Sequence, residues 1–315
     1  MDSKLIKIYA ALILSMVFWG ISFVWTENVF SYGYRPIMTV FFRLIISTGC
    51  LLLLNIWLKR LKKLKGKDLK MIVLLSFLQP FFYFIGESYG LLYASPTVAA
   101  VIISTIPLFS PIAAFYFFKE RITLVNVAGI FVSIFGVILV ILKPDLTFAA
   151  EPIGLICLAF AVATAVISSI ILAKLSSRHN VYTIITYQNG LGVIWFLPAF
   201  LIVDLNQFIK LGFQWAPFVS IIELAIFASS VSYILFTYGV QKLGVTKANA
   251  FSNIIPAFTA LFSFFILGER LTSINFIGIL VVVAGLFMSQ IKQTFFVRSK
   301  FIFFRAKKNG DVADF

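Results

Sequence analysis

The sequence predicts an all-α integral membrane protein of ten transmembrane helices, arranged as two inverted five-helix repeats. Three observations carry that prediction: an apolar composition in long unbroken runs, a one-sided distribution of basic residues, and an internal repeat whose unit holds an odd number of spans.

Hydrophobic residues make up 61% of the 315 positions, only 12% are charged, and the mean hydropathy is +1.03. A soluble chain carries charge on about a quarter of its residues. Lipid is therefore the solvent for most of this chain, and only helices or a closed barrel satisfy the backbone there. A barrel strand alternates apolar and polar residues. These runs are continuous and about 20 residues long, the length a helix needs. The net charge of +14 does not point to nucleic acid, because the Lys and Arg residues lie in short loops and in the C-terminal tail. Cys50 and Cys157 fall within apolar runs and read as small core residues. Lys4 and Lys7 precede the first apolar stretch as they would in a signal peptide. That stretch is too long, and Trp19-Gly20 followed by Phe23 and Trp25 is not a small-residue cleavage site, so it reads as a retained first span.

Charged or turn-rich breaks divide the chain into candidate spans 8–29, 36–58, 70–93, 96–118, 124–142, 153–174, 181–203, 217–240, 246–267 and 273–291. The first follows Lys7 and stops before Arg35; the second runs into the basic stretch that opens with Lys59. The third begins at Lys70 and is parted from the fourth only by Ala94-Ser95-Pro96, with Pro96 suited to a first helical turn. Lys119 and Arg121 close the fourth, Lys143 the fifth, Lys174 and Arg178 the sixth, and Lys210 follows the seventh. Lys242 separates the eighth from the ninth, which has Lys247 at its start, Arg270 follows the ninth, and Lys292 ends the tenth. With the N-terminus inside, 21 basic residues fall inside and four outside, and Arg43 lies within a span. One missed helix would reverse every later loop, so the split supports ten spans with both termini cytoplasmic, in a cell membrane.

Residues 97–136 align without a gap on 246–285, with 14 of 40 pairs identical. These include Pro107/Pro256, Glu120/Glu269, Arg121/Arg270, Thr123/Thr272, Asn126/Asn275, Gly129/Gly278 and Gly136/Gly285, and Tyr89-Gly90 matches Tyr238-Gly239 at the same offset of 149. The unit holds five spans, so two copies in series enter the membrane from opposite sides. Inverted repeats are a common architecture of secondary transporters, with the site at their interface. The expected organisation is 1–149, 150–291 and a basic cytoplasmic tail, 292–315.

This pattern resembles the EamA family of the drug/metabolite transporter superfamily. Each repeat ends in a Pro-centred helix, then Glu-Arg-[Ile/Leu]-Thr, then a Gly-x6-Gly helix. Phe18-Trp19-Gly20, Arg43 and Tyr187-Gln188 match as well. The resemblance covers 1–291. It implies two halves around a central cavity, alternating access, and outward movement of amino acids, other metabolites or drugs without ATP. The second half departs from the first where Ser168 and Ser169 stand opposite Trp19 and Gly20.

Ionisable residues within spans are costly and face a cavity or a partner. Glu87 shares a polar, small-residue face with Ser76, Gln79, Tyr83, Gly86 and Gly90; it reads as a substrate or proton group, or as a structural partner of Arg43. Arg43 reads as a structural member of an ion pair, and Glu223 lies near enough to a span end to snorkel. Pro107 and Pro256 each free a carbonyl four residues back, on Ile103 and Ser252, and kink their helices for binding or gating. Ser104 on one helix, and Asn249 and Asn253 on the other, share those faces; satisfying the freed backbone is their alternative role. Trp19 and Phe23 are candidates to line the cavity, against ordinary packing. The substrate-binding candidates are thus Trp19, Phe23, Tyr83, Glu87, Ser104, Gln188, Asn249 and Asn253.

The Gly-x6-Gly pairs permit close helix packing, and the Glu-Arg pairs read as caps at the interface. The tail interleaves five Phe with six basic residues and suits an anionic leaflet rather than nucleic acid. There is no P-loop, no HExxH and no metal cluster, and His179 has no visible partner. The expected function is a secondary transporter of a small molecule, without a metal or other cofactor and not an enzyme, with proton coupling through Glu87 as a hypothesis. A lipid-modifying membrane enzyme and a passive channel are the competing readings.

Overall fold

A computed structural model describes residues 3–109, 124–141, 150–270 and 272–289. All regular structure among them is helical. In chain order the helices are α1 (Ser3–Ser31), α2 (Pro36–Leu58), α3 (Gly66–Leu92), α4 (Pro96–Phe109) and α5 (Leu124–Ile141). The second set is α6 (Pro152–Ser176), α7 (Val181–Leu211), α8 (Trp215–Leu243), α9 (Val245–Leu267) and α10 (Ser273–Ser289). Eight of them are long and apolar enough to cross a membrane; Pro96–Phe109 and Ser273–Ser289 are shorter. Residues 110–118 of the expected fourth span lie outside the described residues, as do Glu120, Arg121 and the tail 292–315.

Helix ends follow local rules. Pro36, Pro96 and Pro152 open their helices, where the missing N–H costs nothing. The Asn180 side chain accepts the Thr183 N–H at 2.8 Å at the start of α7. At α10 the Thr272 hydroxyl accepts the Asn275 backbone N–H (3.2 Å) while the Asn275 side-chain Oδ1 accepts the Thr272 N–H (3.1 Å). Thr272 and Asn275, three apart, thus form a reciprocal cap. A single residue, Gly244, turns the chain from α8 into α9 at φ +83°, a conformation that favours glycine.

Packing across the two halves is reciprocal. α5 lies against α10, where Gly129 faces the backbone of Ser289 and Gly285, and Gly136 faces Val282 and Gly278. Glycine lets the two backbones meet. Asn126 Nδ2 donates to the Ser289 carbonyl (2.7 Å), and Asn275 Nδ2 donates to the Val140 carbonyl (3.2 Å). Both the donors and the acceptors are related by the 149-residue offset. α2 and α7 are tied the same way. Asn55 on α2 donates to the Thr186 hydroxyl near the start of α7 (2.7 Å), and Asp204 on α7 accepts the Met38 N–H at the start of α2 (2.9 Å). Asn55 and Asp204 are again 149 apart. Thr97 at the head of α4 donates to Glu269 beyond the end of α9 (2.9 Å), so this Glu-Arg glutamate joins two halves rather than capping its own helix.

His179 does have a partner. Its Nε2 lies 2.8 Å from Asp68 Oδ2, and Arg178 pairs with Oδ1 of the same carboxylate at 3.2 Å. Asp68 is 111 residues away in sequence, so no local pattern announces it.

Candidate functional site

Among the described residues α3 and α8, and α4 and α9, lose regular winding near mid-length as two equivalent pairs, while α7 widens over Phe200–Asp204 without a counterpart in α2. In α3 the winding widens over Phe77–Phe82, with Gln79 at φ −146°, ψ 112°. Its counterpart in α8 widens over Leu224–Val231. In α4 regular winding stops at Ile103, three to four residues before Pro107. In α9 a tighter turn, Phe251–Ile254, immediately precedes the helix segment that contains Pro256. There the Ser252 carbonyl accepts the Ile255 N–H, so the turn itself satisfies the group that Pro256 releases.

Each break in α3 and α8 is fastened by the opposite half. Gln188 on α7 donates to the Gln79 carbonyl at 2.7 Å, and Ser168 on α6 donates to Gln79 Oε1 at 2.8 Å. Gln79 Nε2 in turn lies 2.9 Å from the Tyr233 hydroxyl of α8. On the other side Trp19 Nε1 donates to the Ala228 carbonyl at 3.1 Å, and Arg43 Nε donates to the Ser229 hydroxyl. Ser168 and Trp19 are 149 apart, as are Gln79 and Ala228. Arg43 has Gly192 as its equivalent, and Gly192 packs on Pro80, the equivalent of Ser229. Asn189 adds a bond to the Ser229 carbonyl at 2.9 Å.

Between these breaks lies a cavity walled by both halves. Trp19, Ser22 and Phe23 come from α1, Arg43 from α2, and Gln79, Tyr83, Phe84 and Glu87 from α3. Ile103 and Ile106 come from α4, Ala165, Ser169 and Leu172 from α6, Tyr233 and Phe236 from α8, and Asn249, Ser252 and Ile255 from α9. Trp19 stands edge-on to Tyr233 with centroids 5.2 Å apart and 5.0 Å from Phe236. The Tyr83 hydroxyl donates to Glu87 Oε1 at 2.6 Å. The Arg43 guanidinium sits 4.4 Å from the centre of the Phe84 ring. Among the described residues, ion pairs within 4.0 Å occur only at Asp68. Arg43 therefore makes its close contacts with Ser229 and Phe84 rather than with a carboxylate. The chamber combines one guanidinium, one carboxylate, phenols and amides on aromatic walls, so it can hold a molecule with both polar and apolar surface.

Of the residues singled out from sequence, Trp19, Phe23, Arg43, Tyr83, Glu87 and Asn249 line this cavity. Gln188 stands behind it at the Gln79 carbonyl. Ser104 is fully buried and turns its hydroxyl onto the Val101 carbonyl at 2.7 Å. Asn253 is fully buried in the tight turn of α9, and neither of its amide atoms has a hydrogen-bond partner. Gln79, Tyr233 and Phe236 belong to the lining as well. Gln79-Pro80 inside an apolar run is a sequence signal for a break; nothing comparable marks Ala228-Ser229.

The EamA-like transporter family signature matches residues 6–142 and again residues 152–290. The chain belongs to the EamA-like transporter family. This EamA-like transporter is 29% identical over 90% of its length to an uncharacterized transporter of Archaeoglobus fulgidus, covering 98% of that protein. It is also 27% identical to the uncharacterized transporter YetK of Bacillus subtilis, over 79% of this chain and 76% of YetK. A crystal structure of another protein superposes with a TM-score of 0.70 at 12% identity, covering 90% of this chain and 98% of that one. That likeness concerns the fold alone. The chain is a multi-pass membrane transporter.

Proposed function

We propose that this transporter is a secondary carrier that exports a small metabolite, an amino acid or a drug by alternating access. Its ten spans form two inverted halves, 1–149 and 150–291, with both termini cytoplasmic in the cell membrane. The observation that carries this reading is that the central cavity lies where four helices are broken, and the breaks in α3 and α8 are each held by the opposite half. Broken helices absorb backbone rotation at a few residues while the segments on either side move as rigid rods. Trp19, Arg43, Gln79 and Tyr233 serve both as cavity wall and as fastening. A ligand that bonds to them changes the balance between the fastened and released arrangements, because only a differential interaction shifts a conformational equilibrium.

Thermal-shift screening of the purified protein against amino acids and other small metabolites identifies the cargo. Trp19→Ala then abolishes the shift if the cavity is the binding site, whereas an undiminished shift refutes that placement. Glu87 is proposed as the proton-coupling group: it is the carboxylate in the chamber and already takes one hydrogen bond, from Tyr83. Transport in proteoliposomes with an imposed pH gradient tests this. Glu87→Gln removes the dependence on the gradient, and an unchanged dependence refutes the assignment.

A further inference from the structure

The loop between α2 and α3 carries Lys59, Arg60, Lys62, Lys63 and Lys65, with Lys67 in the first turn of α3, and all six are exposed. Like charges packed this densely repel each other and favour an extended, mobile chain. This loop is instead fixed to the protein. Leu64 is 3% exposed and packs into the core. The Arg60 carbonyl accepts from Asn180 Nδ2 (2.9 Å) and the Thr183 hydroxyl (3.0 Å), and the Thr183 hydroxyl accepts the Lys62 N–H (3.1 Å). The Arg60 guanidinium lies 5.2 Å from the centre of the Tyr182 ring. The nearby Asp68 already serves Arg178 and His179. Among the described residues, none of the six cations has a carboxylate within 4.0 Å.

Directly below the loop, α2 turns an apolar stripe outward. Leu53, Ile56 and Trp57 are 71%, 70% and 79% exposed, and their spacing places them on one helix face. Trp57 stands two residues before Lys59, the position of an interfacial aromatic. An ordered platform of unpaired cations above an apolar runway complements one kind of molecule: an anionic headgroup on acyl chains.

We propose that the α2–α3 loop and the outward face of α2 bind an anionic phospholipid. Its phosphate lies among the loop lysines and its chains lie along Leu53, Ile56 and Trp57. The orientation proposed above decides only that the lipid comes from the cytoplasmic leaflet. This site shares no residue with the cavity.

Native mass spectrometry of the full-length protein in neutral detergent, titrated with phosphatidylglycerol, reads the site directly. The triple variant Lys62→Gln, Lys63→Gln, Lys65→Gln leaves Lys59, Arg60, Lys67 and Lys70 to hold the orientation. It is expected to weaken phosphatidylglycerol binding about a hundredfold, or about fivefold per cation removed. The same three positions changed to Arg should keep wild-type affinity within about threefold. Trp57→Ala should weaken it several-fold, and it gives a second reading if the glutamine triple does not fold. Phosphatidylcholine with matched chains should bind weakly, and equally to the wild type and the two lysine triple variants. Unchanged phosphatidylglycerol binding in the glutamine triple overturns the proposal. So does inorganic phosphate competing as strongly as the lipid, or loss of binding on removal of 292–315 alone. The readout involves no transport, so its failure leaves the carrier reading intact, and failed transport leaves this site intact.

Discussion

Replacing Gln79 with Leu tests whether the break in α3 is a working joint. The substitution keeps the bulk of the side chain and the backbone carbonyl that Gln188 binds. It removes two side-chain hydrogen bonds, to the Tyr233 hydroxyl at 2.9 Å and from Ser168 at 2.8 Å. The second loss is cushioned, because the Ser168 hydroxyl also reaches the Ala165 carbonyl at 2.9 Å. The Tyr233 hydroxyl loses its partner at the cavity wall, where water can replace it. One bond and a fraction of another therefore disappear, about 1–2 kcal/mol. If these bonds exist in only one of the two end states, the conformational equilibrium moves by about 5–30-fold. The assays are thermal melting in detergent and efflux from proteoliposomes loaded with the cargo found by screening. The expected result is a melting temperature lower by a few degrees and an efflux rate altered by about tenfold. A variant that melts with wild-type protein and transports at the wild-type rate refutes the reasoning.

Three other outcomes follow from the same geometry. A Cβ at Gly285 would meet the backbone of Ser133 and Gly129, so Gly285→Ala should cost about 1–3 kcal/mol by forcing α5 and α10 apart. A Cβ at Gly49 would meet nothing within 4 Å, so Gly49→Ala should be tolerated or gain up to about 1 kcal/mol, and equal melting of the two variants contradicts the packing account. Asn126→Ala and Asn275→Ala should each cost about 1–3 kcal/mol, because each leaves an interhelical carbonyl without its donor; the double variant should add, since the sites lie at opposite ends of the helix pair. Asp204→Leu, which orphans the Met38 N–H, should destabilise by a similar amount in thermal melting, while Asp204→Asn, which retains an acceptor, should cost less.

Much of the fold was legible because lipid imposes simple rules. Long apolar runs mark helices, and the repeat of Pro107 in Pro256 and of Gly129 in Gly278 marks equivalent positions in two halves. The second Thr-x-x-Asn has a local meaning, a reciprocal cap at Thr272 and Asn275. What sequence spacing could not reveal is which residues meet across the halves. Asp204 binds Met38 over 166 positions and Trp19 binds Ala228 over 209, and neither pair has a periodic signature. The break in α8 was equally hidden, since Ala228-Ser229 lacks the proline that marks its partner in α3. Gln79 was visible as part of a polar face, but its role as a hub depends on Ser168, Gln188 and Tyr233 arriving from three other helices. His179 gained a partner in Asp68 for the same reason.

In the proposed cycle one cavity between two halves is exposed alternately to the two sides. Exchange in proteoliposomes tests it most directly. Purified protein is reconstituted, vesicles are loaded with labelled cargo, and unlabelled cargo is added outside. A carrier of this kind predicts saturable release that speeds up several-fold on adding the outside cargo, and that acceleration should be lost in Trp19→Ala. Release that is linear in concentration and indifferent to outside cargo would mean an open channel and contradict the account.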